Sequence, residues 1–141
     1  MNLEEIEEKI RNKKSIEEVL KFLTWKDFEL ITKEIFERNG FNVRFNYRFK
    51  TTKRYQIDIL AEKRDVLICV DCKHWRRGYK VGRIKKAALK QKERINELMK
   101  ILEEKKIVPI ILTLLDMGIY EFENVFIIPI FYLNEFLNSN F

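Results

Sequence analysis

The sequence predicts an α/β domain over residues 24–141, a mixed sheet of about five strands flanked by helices in the order α-βββ-α-β-β-α, preceded by a helical arm at residues 1–23. Three observations predict it. Apolar residues recur at helical spacing from Thr24 to Asn39, and strict alternation replaces that period after Gly40. Three apolar runs follow, VLICVDCK, IVPIILTLL and VFIIPI, with a long charged stretch of helical character between the first two. At 141 residues the chain has the size of one ordinary domain and enough side chains for a real core.

Taken in order, Asn2 to Asn12 carries Leu3, Ile6 and Ile10 at helical spacing, and Ser15 with Glu18 reads as a capping box for a second short helix ending near Phe22. Thr24 opens the first helix of the domain. Asp27 in its first turn complements the dipole, Phe28, Ile31, Ile35 and Phe36 form its apolar stripe, and Asn39-Gly40 ends it. Trp25 reads as core. Phe41, Val43 and Phe45 then alternate with Asn42, Arg44 and Asn46 as a strand with one wet face. The basic segment Arg48 to Arg54 is a loop or a strand extension. Tyr55 to Ala61 is the second strand, Glu62 to Asp65 a turn, and Val66 to Lys73 a third strand apolar enough to be central. A loop, Arg76 to Gly82, leads into a helix from about Arg83 to Lys105, whose stripe is Ile84, Leu89, Ile95, Leu98, Ile101 and Leu102; Gln91 reads as exposed on it. Ile107 to Leu115 and Val125 to Ile130 supply two more strands, and Phe131 to Asn138 a last helix.

Composition narrows the class. With 46% hydrophobic and 35% charged residues this is a folded chain and not a disordered one. No apolar run approaches the roughly 18 residues of a membrane span, and the acidic start lacks the order of a signal peptide, so a cytoplasmic protein is expected. Cys69 and Cys72 lie three apart on one strand and so face opposite sides. With His74 the only histidine and no second cysteine pair, a closed zinc site cannot be assembled, and both thiols read as packing. The charge is unevenly spread. Asn42 to Arg94 holds 17 Lys and Arg against 5 Asp and Glu, a surplus of +12, while the remainder carries −6. A basic middle fits a polyanion-binding face, although a solvated lysine-rich surface has the same composition.

Two positions break the pattern of burial. Asp58 sits inside YQIDILA, and Asp71 with Lys73 ends the most apolar strand. A buried carboxylate costs several kcal/mol unless it is paired, hydrogen-bonded or bound to metal. Asp71 and Lys73, two apart, share a face, and folding back around Glu62 to Asp65 brings Asp58 opposite Asp71 within a residue of register. Two carboxylates that close need a cation between them, and hard oxygen ligands select Mg²⁺ or Mn²⁺. A buried ion pair with no chemistry attached is the competing reading of the same residues.

Phe28-Glu29-Leu30 running to Gly40-Phe41, then Ile57-Asp58-Ile59, then Val70-Asp71-Cys72-Lys73 resembles the PD-(D/E)xK nuclease superfamily, and within it the Mrr-type restriction endonuclease and archaeal Holliday-junction resolvase branches. Glu29 stands eleven residues before Gly40-Phe41, as the helical Glu does in those branches. CKHWRRGYKVG is similar to the Mrr-type continuation after the lysine, and VFIIPIFYLNEFL to the final strand and helix. The resemblance covers about Thr24 to Leu137. Ile57 replaces the Pro of the family name, and Asp71 stands where Mrr-type proteins often carry Gln or Glu. Gln91 is similar to a helical Gln of some branches, with an exposed helix residue the competing reading. The resemblance implies a restriction-endonuclease-like fold and a Mg²⁺ ion, with Mn²⁺ able to substitute. Asp58 is then its main ligand, Asp71 and the backbone carbonyl of Cys72 complete the inner shell, and Glu29 reaches in directly or through water. Lys73 positions the attacking water and stabilises the scissile phosphate, giving a 5′-phosphate and a 3′-hydroxyl.

Around these residues, Trp75, Arg76, Arg77 and Lys80 combine aromatic and basic side chains that suit a nucleic-acid backbone, with core packing the competing reading of Trp75. Arg44, Arg48, Lys50, Lys53 and Arg54 extend the basic surface. The function expected is a Mg²⁺-dependent endonuclease of duplex or branched DNA, working as a homodimer without a small-molecule cofactor or a membrane partner. A non-catalytic nucleic-acid-binding module, an RNA-directed nuclease and an unrelated α/β domain with a buried salt bridge are the alternatives.

Overall fold

A computed structural model describes residues 22–75, 80–102 and 105–141, together with Glu4. Most of the expected arm, and Arg76 and Arg77, lie outside the described residues. Among the described residues three helices and six strands follow in order: α1 (Trp25–Arg38), β1 (Asn42–Lys50), β2 (Arg54–Lys63), β3 (Val66–Lys73), α2 (Val81–Met99), β4 (Lys106–Thr113), β5 (Glu121–Phe122), β6 (Val125–Pro129) and α3 (Ile130–Asn140). One mixed sheet in the order β1-β2-β3-β4-β6-β5 joins the strands. β1, β2 and β3 run antiparallel as a meander, β3, β4 and β6 run parallel, and β5 pairs antiparallel with β6.

Local chemistry sets the first helix. Thr24 Oγ1 accepts from the Asp27 N–H at 3.1 Å while Asp27 Oδ2 accepts from the Thr24 N–H at 3.0 Å, a reciprocal cap that satisfies two orphan donors. The cap holds the Asp27 carboxyl below its usual value. Phe28, Ile31, Ile35 and Phe36 are buried, and Gly40 takes φ +86° past the helix end, where a side chain would be strained.

β3 is covered on both faces, which is why it reads as an unbroken apolar run. Ile68, Val70 and Cys72 join the core under α1 and α3, with Phe28, Phe36, Leu133 and Leu137. Leu67 and Cys69 pack on the other side with Ile95 and Leu98 of α2. The two free cysteines are thus buried on opposite faces. Pro109, inside β4, precedes the point where β6 begins to pair, so that part of the strand has a neighbour on one side only.

Several expectations need correction. The segment Arg48 to Arg54, open between a loop and a strand extension, resolves as the extension: β1 continues to Lys50 and pairs back through Lys50↔Arg54. α2 ends at Met99, and its buried face is Ile84, Ala87, Ala88, Gln91, Ile95 and Leu98, whereas Leu89 and Ile101 are exposed. Continuing the 3.6-residue period from Ile84 passes through 87, 88 and 91, so the small and polar residues, not the largest apolar ones, mark the contact face. A sixth strand, β5, is added; Glu123 and Asn124, at φ 52° and 66°, turn it tightly onto β6. Two residues are too few for alternation to reveal. No described helix is long and apolar enough to cross a membrane.

Candidate active site

The β2–β3 ladder ends at Ile59↔Val70, and the next facing positions are Asp58 and Asp71. In place of a further ladder bond, Asp58 Oδ2 accepts from the backbone N–H of Cys72 at 2.9 Å. β1 also loses its pairing opposite Asp58, at Asn46, which adopts φ 53°. The sheet changes hand of packing there: Val43 and Phe45 lie against the α1–α3 core, whereas Tyr47 and Phe49 lie against the α2 cluster. Asp58 therefore stands at the bend where the β1–β2 hairpin swings over α2. Thr51 Oγ1 donates to Glu97 Oε2 at 2.7 Å and Lys53 pairs with Glu93 at 3.3 Å to dock its tip.

Asp71 is only 6% exposed. Its Oδ2 lies 3.3 Å from Lys73 Nζ and 3.7 Å from Arg94 Nη1, with no hydrogen-bond donor on it among the described residues. Burial pushes the Asp71 carboxyl up to about 6; Lys73 and Arg94 pull it down, and the Asp58 charge adds to the rise. The Cys72 thiol is also raised, first by burial and then by the charges of Asp58, Asp71 and Glu29. Glu29, half-buried on α1, thus shares the electrostatic neighbourhood of the two aspartates. Among the described residues no three Asp, Glu, His or Cys side chains converge as a ready-made ligand set. Asp58 Oδ2 is engaged by the Cys72 N–H and Asp71 Oδ2 faces the two cations, while the Asp58 and Asp71 carboxyls lie within hydrogen-bonding reach of each other. Two carboxylate oxygens completed by carbonyl and water fit a hard, partly hydrated ion such as Mg²⁺ and not a soft or fully caged one.

Other residues of the sequence reading fall around this centre unevenly. Trp25, expected in the core, is 43% exposed; it stacks on Phe28 at 5.9 Å and meets the His74 ring edge-on at 5.6 Å. Trp75 is half-buried, with the Arg83 guanidinium 4.2 Å from its ring centroid. Arg44, Arg48, Lys50 and Arg54 are exposed, and an open groove of about 680 Å³ is lined by Arg48, Lys50 and Arg54 with Phe49, Tyr55 and Gln56. Lys53 is turned to Glu93 and the Tyr55 ring. Lys80 is exposed at the start of α2.

Two residues near Asp71, Gln91 and Arg94, take places that helical context alone does not mark. Gln91, expected on the surface, is 0% exposed; its Nε2 donates to the carbonyls of Cys69 at 2.9 Å and Ile110 at 3.3 Å, tying β3 to β4. Its Oε1 accepts from Arg94 Nη1 at 3.1 Å, aiming that guanidinium at Asp71. The available signal was phase: Gln91 lies two turns beyond Ile84 on the buried face of α2.

A family model described as a restriction endonuclease, the Mrr catalytic domain, matches residues 20–111. The chain is 29% identical over 119 residues to an uncharacterized protein of Archaeoglobus fulgidus, covering 83% of this chain and 92% of that one. Among solved structures it is similar to the protein of unknown function AF1548, at 19% identity and a TM-score of 0.49 over 59% of this chain. It is also similar to protein VC1899 from Vibrio cholerae, at 11% identity and a TM-score of 0.49 over 82% of this chain. The matched regions make up 43% and 32% of those two chains.

Proposed function

This chain belongs to the Mrr-type restriction endonuclease family, with the restriction-endonuclease-like fold of the PD-(D/E)xK superfamily, and on that premise we propose that it is a Mg²⁺-dependent DNA endonuclease whose active site is Glu29, Asp58, Asp71 and Lys73. One observation carries the reading. Where the β2–β3 ladder opens, two aspartates face each other with Lys73 3.3 Å from the buried oxygen of Asp71. Burial, with the Asp58 charge adding to it, raises the Asp71 carboxyl pKa even beside Lys73 and Arg94, and a divalent ion would offset that cost.

In this reading Asp58, Asp71 and the Cys72 carbonyl would hold the ion, and Glu29 would act from α1 directly or through a water. The bound metal supplies a water of lowered pKa and neutralises phosphate charge. Lys73 donates from Nζ to the attacking water or a phosphate oxygen, and its pairing with Asp71 fixes where that donor sits. Cys72 N–H orients the Asp58 carboxylate. The chain acts as a homodimer, one site for each strand of DNA, and Mn²⁺ substitutes for Mg²⁺.

Arg44, Arg48, Arg54, Trp75 and Lys80 follow the DNA backbone, joined by Arg76 and Arg77; Lys53, already paired, contributes least. Arg48→Ala with Arg54→Ala is expected to weaken binding of all sequences alike and to flatten the plot of log affinity against log salt by about 2. Fluorescence anisotropy at several salt concentrations checks it, and an unchanged slope places the hairpin off the DNA.

The test of the whole reading is a Mg²⁺ and Mn²⁺ titration of cleavage on linear duplex and four-way-junction DNA, with duplex RNA alongside. Cutting of DNA that requires the ion and stops with EDTA is expected. Binding without cutting under every condition would mean a non-catalytic module on the same fold; preference for RNA would move the substrate class.

A further inference from the structure

We propose that Arg94 is a fixed cation of the active site that restricts it to one divalent ion; this rests on the metal-dependent reading above and adds its stoichiometry. Two of the four aspartate oxygens are already engaged. Asp58 Oδ2 is taken by the Cys72 N–H at 2.9 Å. Asp71 Oδ2 is sealed from solvent between Lys73 Nζ at 3.3 Å and Arg94 Nη1 at 3.7 Å. An ion pair of the two-metal kind sits about 3.5–4 Å apart. For Asp71 to bridge such a pair through both oxygens, Oδ2 would have to exchange Lys73 and Arg94 for the second ion.

Arg94 is not free to leave cheaply. Its Nη1 donates to Gln91 Oε1 at 3.1 Å, and Gln91 is anchored through Nε2 to β3 and β4 carbonyls in a fully buried position. A flexible surface arginine paired with an aspartate would need no such anchor. Burying an amide to aim a guanidinium makes sense where the position of that charge matters.

Charge balance leads to the same number. Glu29, Asp58 and Asp71 set three negative charges against the two positive charges of Lys73 and Arg94, a net charge of minus one. One divalent ion converts this to plus one, which a single phosphodiester neutralises. A second ion would leave a site two charges positive even with its substrate bound, in a place where uncompensated charge is expensive. Without Arg94 the balance shifts by one and an oxygen is released, and both changes favour a second ion.

Calorimetric titration with Mn²⁺ in the absence of DNA tests this, with electron paramagnetic resonance to detect coupling between neighbouring ions. Wild type is expected to bind one Mn²⁺ per chain, Arg94→Gln a second with spin coupling, and Arg94→Lys one. Two ions in wild type, or a single ion in folded Arg94→Gln, would overturn the proposal. Arg94→Met, which keeps the stem packed, serves if the Gln variant does not fold, and the wild-type count is decisive without either. No Mn²⁺ bound by wild type would sink the metal-dependent reading together with this one, whereas two ions would sink this one alone.

Discussion

Asp71→Asn is expected to abolish metal-dependent cleavage, by on the order of a thousandfold, and at the same time to make the metal-free protein more stable at pH 8. The loss follows from removing one of two charged oxygen donors, an effect worth several kcal/mol in the transition state. The gain follows from burial. Asp71 is lifted from an ordinary carboxylate value of 3.8 to about 6 because desolvation outweighs Lys73 and Arg94. The folded chain therefore holds this proton more tightly than the unfolded one, and the stability associated with the neutral carboxyl is complete below pH 4 and lost as pH rises through about 6. Above that, the ionised carboxylate costs roughly 3 kcal/mol, about two pKa units, and a neutral Asn in the same space recovers about 2–3 kcal/mol of it. Urea unfolding at pH 8 and pH 4 without metal measures both parts: wild type should lose stability over that rise in pH and the variant should not. Mg²⁺ should reverse the wild-type trend, protecting at pH 8 and failing below about pH 6, where the proton competes for Asp71. A variant less stable than wild type at pH 8 would mean that the two cations, not desolvation, dominate Asp71.

The same physics decides what was legible in the sequence. Asp58, Asp71 and Lys73 stood out because polar residues interrupt strands that are otherwise apolar, and strand alternation with a short turn gives register directly. α1 is readable from its cap and stripe, which keep one period from end to end, and β3 to the residue, as an unbroken apolar run between a charged turn and Lys73. Glu29 was another matter: a helical glutamate looks like surface, and only its spacing to Gly40-Phe41 singled it out. Arg48 to Lys50 stays open between strand and loop in the sequence because basic residues on the outer face and a bend at Asn46 mimic a loop. Trp25 was misplaced because helical phase cannot show that the ring lies at the rim of the core, beside His74. Gln91 and Arg94 are hard to read for a deeper reason, and only the likeness of Gln91 to a helical Gln of some family branches points to either. Both are ordinary on a solvated helix, and their significance lies wholly in carbonyls and a carboxylate contributed by other elements.

Gln91→Met puts that last point to the test, and it is expected to destabilise the fold by about 2–4 kcal/mol despite nearly equal volume. Packing is conserved, so the cost comes from polar groups left behind: the carbonyls of Cys69 and Ile110 lose a donor, and Arg94 loses its acceptor beside Asp71. Surface glutamines changed in this way usually move stability by no more than about 0.5 kcal/mol, so the two placements of Gln91 give separable results. Gln91→Glu divides the two ends of the side chain. It keeps an acceptor for Arg94 but presents a second acceptor to two carbonyls, which repel it. At pH 8 it should cost more than Met. As pH falls the carboxyl takes up a proton, becomes a donor again, and should recover much of the loss, giving a stability that rises toward acid where the Met variant shows no such recovery. Chemical denaturation of the three proteins at pH 8 and pH 5 reads this directly. Equal costs for Met and Glu at both pH values would show that the buried amide acts through its shape alone, and that neither the strand carbonyls nor Arg94 depend on it.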